Sequence, residues 1–133
     1  MEDLTPEQIV VIANGYRSMA RALNEFQMMR WLEFSTEQHL DINAYQNSLL
    51  NRAQDLQTMA VRPAFSNTAE MAAGIQRATQ EAKDSLKHIR NLTIALNVGA
   101  ITVALASYVA RANLRGIQTA LRELGDLLVA EEG

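Results

Sequence analysis

Chemistry has few places to happen in this chain, because its 133 residues include two histidines and no cysteine. Glu81, Asp84 and His88 recur at spacings of three and four, which puts them on one face of a helix as the chain's one carboxylate and histidine constellation. Such a set could ligate a divalent cation or move a proton. It lacks the Glu-x-x-His pair, repeated on two helices, that a di-iron bundle requires. With Lys83 and Lys87 beside it, the set reads as a solvated face on which Asp84 salt-bridges His88. His39 follows a helix-start signal and is expected in water. No glycine-rich phosphate loop, nucleophile elbow, zincin helix or EF-hand loop occurs. The lack of cysteine removes disulfides, thiolate metal sites and thiol nucleophiles together. No catalytic, cofactor or metal site is expected, and the chain is read as non-enzymatic. Asn91-Leu92-Thr93 fits the glycosylation pattern, but it opens an apolar helix and is discounted.

The elements that would position any site are helical. Six Gly, two Pro and 5% aromatics accompany abundant Ala, Leu, Gln, Arg and Met, a balance that favours helix over sheet. The length suits one helical domain with a core of its own. The opening MEDLTPEQ is acidic and polar, unlike a signal or transit peptide, so a cytoplasmic location is expected, with membrane association as the alternative. The net charge of -3, aromatics not interleaved with the basic residues and the absence of a recognisable motif spacing argue against nucleic acid as a partner.

Thr5-Pro6-Glu7-Gln8 and Ser35-Thr36-Glu37-Gln38 are capping boxes. They predict an antiparallel hairpin (1–62) of helices over about 6–33 and 37–61. Its seams are Ile9, Ile12, Tyr16, Met19, Leu23 and Phe26, then Ile42, Tyr45, Leu49, Ala53, Leu56 and Met59. Arg62-Pro63 ends the second helix. A third begins near Ser66 or Asn67, with Glu70 placed to close a box on Asn67. From Ile75, Ala82, Leu86 and Ile89 one coiled-coil-like phase carries on to Leu96, Val103, Leu114, Ile117, Leu121, Leu124 and Leu128. The second half (67–133) is therefore predicted as one long helix over about 67–130, roughly 85 Å at 1.5 Å per residue, or one broken once around Asn97-Val98-Gly99. The fold class expected is an all-α helical bundle, oligomeric.

Between Arg90 and Arg111 no residue carries a charge, and Leu92 to Ala110 has a mean hydropathy of 1.8, in the range of a membrane span. A helix apolar nearly all round is central in a bundle or lies in lipid. Two functions follow as expectations. In the first, a helical-bundle interaction or scaffold protein self-associates into a homo-oligomer, or takes a partner helix, through Leu114, Ile117, Leu121, Leu124 and Leu128. Ala95, Gly99 and Ala104 then form the close-packed crossing, and Asn97 is a buried register device. In the second, the segment spans or inserts into a membrane, as in a small pore-former or a virion or secretion translocator component. Met28, Met29, Trp31 and Phe34, with Arg90, Arg111 and Arg115, are the candidate contacts for a membrane or partner.

Overall fold

The computed structural model describes residues 1–59 and 62–132, the last three as backbone. It is an all-α bundle: helices α1 (Pro6–Met29), α2 (Thr36–Thr58), α3 (Thr68–Ser85), α4 (Leu92–Ala110) and α5 (Leu114–Glu132), with a two-residue strand pair, β1 (Glu2–Asp3) and β2 (Ala64–Phe65). Both predicted capping boxes form. Thr5 Oγ1 accepts from the Gln8 amide at 3.1 Å while Gln8 Oε1 accepts from the Thr5 amide at 2.9 Å, and Ser35 and Gln38 repeat the arrangement. The expectation that the second helix runs to 61 falls partly outside the described residues; α2 ends at Thr58.

The helices close into a cycle. Helix α1 packs on α2, α2 on α4, α4 on α5, α5 on α3 and α3 on α1, so each has two principal neighbours. The predicted α1 seam is buried along its whole length, and Ile42, Leu49, Ala53 and Leu56 of α2 are buried with it. At the N-terminus, Glu2 pairs with Phe65 and Asp3 with Ala64 in antiparallel register, and the Leu4 amide donates to the Pro63 carbonyl at 2.8 Å. The Asn67 box does not form. The Thr68 hydroxyl instead lies 2.6 Å from the Glu2 carbonyl and 2.8 Å from that of Phe65, so the start of α3 holds both strands.

The second half is corrected from one long or once-broken helix to three. The helix is continuous through Asn97, Val98 and Gly99, and the breaks fall at 86–91 and 111–113. At the first break the chain tightens, with the His88 and Ile89 amides both donating to the Ser85 carbonyl, while Leu86 and Ile89 stay buried. Asn91 then caps α4, its Oδ1 accepting from the amides of Thr93 and Ile94 at 2.9 and 3.3 Å. At the second break Ala112 takes φ 53°. Its amide donates to Val109 and that of Asn113 to Tyr108, the paired bonds of a left-handed helix stop. Asn113 Oδ1 accepts from the Gly116 amide at 3.0 Å and so starts α5.

Two glycines set close approaches. A Cβ on Gly99 would lie 3.1 Å from Tyr45 Cδ2 and 3.3 Å from Leu23 Cδ2, which puts α4 directly against the α1–α2 hairpin. A Cβ on Gly116 would lie 2.5 Å from Tyr108 Cδ1, so the first turn of α5 rests on that ring. Tyr16 lies in the core at 1% exposure, and its hydroxyl has no hydrogen-bond partner among the described residues.

Ala112→Gly is expected to stabilise the fold by about 0.5–1 kcal/mol, since relief of left-handed strain exceeds the added chain entropy. Gly116→Ala is expected to cost about 1–2 kcal/mol despite its helix propensity, because the Tyr108 ring must move. Gly125→Ala, with nothing within 4 Å of the new Cβ, should gain about 0.5–1 kcal/mol. Urea unfolding of the three variants checks the order. Burial pushes the Tyr16 phenol well above its ordinary 10.0. The native state therefore keeps a proton that the unfolded chain releases from about pH 10 upward, and stability falls there by up to about 1.4 kcal/mol per pH unit. Tyr16→Phe should lose that contribution to the alkaline slope. At neutral pH it should be at least as stable as the parent, since it removes an unsatisfied hydroxyl whose burial costs about 1–3 kcal/mol. Unfolding measured between pH 8 and 11 tests both, and a loss above about 2 kcal/mol at pH 8 would reveal a partner for the hydroxyl.

Candidate functional site

The residues with chemical potential do not assemble. Helix α3 ends at Ser85, so His88 lies in the turn beyond it, and the Asp84 carboxylate accepts from Gln80 at 3.0 Å. The expected Asp84–His88 bridge is absent: the ion pairs among the described residues are Arg30–Glu33 and Arg52–Asp55. Nor does any group of three or more His, Asp or Glu gather there as metal ligands.

The structure concentrates unusual surface at one end, where the α1–α2 turn meets the α3–α4 turn. Arg30 joins them. Its guanidinium donates to the Ile89 carbonyl at 3.0 Å and to that of Arg90, both in the turn between α3 and α4, and it lies 4.9 Å over the Phe26 ring. Around this clasp Met28 is 62% exposed, Met29 86%, Trp31 50% and Leu32 97%. A cavity of about 230 Å³ opens beside them, with Ala22, Phe26, Met29 and Leu86 as apolar lining and Arg30, Lys83 and Lys87 facing Glu25 at its rim.

The tip is held rigid from beneath by His39, which is half-buried rather than in water. The Trp31 carbonyl can only accept, so His39 Nε2, 3.1 Å away, carries the proton. Nδ1 then accepts from Gln27 Nε2 at 2.9 Å, and Gln46 donates to Gln27 Oε1 at 2.9 Å. The His39 ring centroid is 4.1 Å from Trp31 and 4.9 Å from Phe34. Phe34, expected among the contact residues, is buried against His39 and Phe26.

Met28, Met29, Trp31 and Arg90 thus share the tip. Arg111 and Arg115 do not, lying beyond the opposite end of α4, about 28 Å away along 19 residues. Of the predicted self-association surface, Ala95, Gly99, Ile117 and Leu124 are buried within the one chain. Ala104, Leu121 and Leu128 are half-buried, and Leu114 is exposed. Asn97 is corrected from a buried position to an exposed one. It lines a shallow groove of about 440 Å³ between α4 and α5, with Ala100, Ile101 and Leu127 and with Glu123 and Asp126. The Arg30 clasp and the His39 network were not read from sequence, since both depend on which turns meet in space.

Comparisons with protein families, with curated proteins and with solved structures found no match to this chain.

His39→Ala removes two ring contacts and leaves Gln27 and the Trp31 carbonyl without their partner. The expected result is a loss of about 2 kcal/mol with red-shifted, more readily quenched emission from Trp31, the chain's single Trp. His88→Ala, on the exposed turn, should stay within about 0.5 kcal/mol of the parent. Fluorescence with acrylamide quenching and urea unfolding check the pair.

Proposed function

We propose that the protein is a non-enzymatic interaction module that self-associates, with the α1–α2 tip as its adhesive surface. The observation that carries this reading is the contiguous exposure of Met28, Met29, Trp31 and Leu32 on a turn fixed by Arg30 and His39. A run of large apolar side chains held rigidly in water is characteristic of a contact surface. The heptad-like seam contributes mainly to the chain's own core, through Ile117 and Leu124, and leaves the contact to the tip.

A second reading, membrane insertion, is favoured by α4. Its 19 residues have a mean hydropathy of 1.8, fewer than half of them are buried, and its N-terminal end lies at the tip. In that case the tip engages a bilayer and α4 follows.

Sedimentation velocity without detergent, with flotation on phosphatidylcholine vesicles run in parallel, separates the two. The self-association reading expects the parent to sediment above its monomer mass of 14.8 kDa and Met29→Ser with Leu32→Ser to sediment at it. A monomeric parent that floats with vesicles and resists alkaline wash would establish insertion instead.

A further inference from the structure

The tip has a complement on its own chain. We infer that self-association is head-to-tail: the tip of one copy seats in the α4–α5 groove of the next. This rests on the self-association reading and adds to it the identity of the receiving surface.

Charge carries the inference first. Beside the apolar side chains of the tip, Lys83 and Lys87 at the end of α3 outnumber the one carboxylate of the same cavity, Glu25, while the groove pairs Ala100, Ile101 and Leu127 with Glu123 and Asp126. None of these charged groups takes part in the ion pairs among the described residues, which are Arg30–Glu33 and Arg52–Asp55. Opposite charges around two apolar surfaces steer an encounter and fix its register. Shape agrees with charge. Leu32 and Met29 project with almost nothing packed around them, and the groove is an open depression with Ala100, Ile101 and Leu127 as its apolar lining.

Topology then sets the symmetry. The cationic rim lies between α1 and α3, and the groove lies between α4 and α5, a different part of the helix cycle. A copy whose tip docks without receiving its neighbour's tip in return keeps a free groove. Such an interface is heterologous and grows into a chain or closes into a ring.

The experiment uses two surface variants of the full chain. The tip variant is Met29→Ser with Leu32→Ser; the groove variant is Ala100→Arg, which fills the depression and repels the lysines. Circular dichroism checks that both keep parental helicity, and Glu123→Gln with Asp126→Gln is a second groove variant that changes charge without bulk. Each of the first two is expected at monomer mass when alone. An equimolar mixture is expected to give a dimer that does not grow, since the intact tip of the groove variant can dock on the intact groove of the tip variant. The charge variant should associate about tenfold more weakly at low salt, with the difference shrinking as salt is added.

A groove variant that assembles like the parent, or a mixture that stays monomeric, would overturn the head-to-tail arrangement and leave the tip reading standing. A monomeric parent would remove both. Flotation of the monomeric parent on vesicles, lost in the tip variant alone, would show a lipid occupant.

Discussion

An uncharged helix has to be covered, and the contact at Gly99 is where this chain covers it. With no Cβ there, α4 comes into contact with Tyr45 and Leu23, so one residue brings α4 onto both helices of the N-terminal hairpin. The buried residues of α4, among them Ala95, Val98, Thr102, Leu105 and Val109, then face protein. Thr102 needs no outside partner, because its hydroxyl donates to the Val98 carbonyl at 2.8 Å within the helix. Helix α5 follows α4 through the Ala112 stop and packs on α3, which closes the cycle. The left-handed alanine is tolerated because the turn it makes packs Tyr108 against Gly116 and places the Asn113 cap.

The exposed tip depends on a second constraint, the meeting of two turns. A turn leaves backbone carbonyls that need partners, and in the one between α3 and α4 those of Ile89 and Arg90 are taken by Arg30, the residue that ends α1. That bond ties the end of α1 to the α3–α4 turn, and no side chain of the short 3₁₀ turn Trp31–Glu33 is buried. Phe34 goes in and Trp31 and Leu32 stay out. The His39, Gln27 and Gln46 relay satisfies the polar groups below, so the apolar surface rests on a rigid base instead of a loose loop.

Local signals were legible where one residue type decides the outcome. Both capping boxes, the α1 and α2 seams and the buried phase through Ile75, Ala82, Leu86 and Ile89 were readable, because caps and periodicity act within a few residues. The two later breaks were hidden by the same periodicity: the apolar phase continues across 86–91 and 111–113 without interruption, and neither break contains Gly or Pro. Asn91 and Asn113 were the available signals, both of them cap-forming types at the true starts of α4 and α5. Asn97 was misplaced for a related reason. Within a run lacking charge, a helical wheel cannot tell a buried amide from one that faces water.

The outward side of α4 explains why the run can lack charge and still belong to a bundle. Thr93 and Asn97 are exposed, and Ala100, Ala104 and Ser107 continue the line half-buried, so this line toward water is small and uncharged where most helices place Lys or Glu. Mean hydropathy does not register that arrangement, since Ala raises the value as it would in a span. Charge next to this stripe comes from the neighbouring helix instead, as Glu123 and Asp126 of α5.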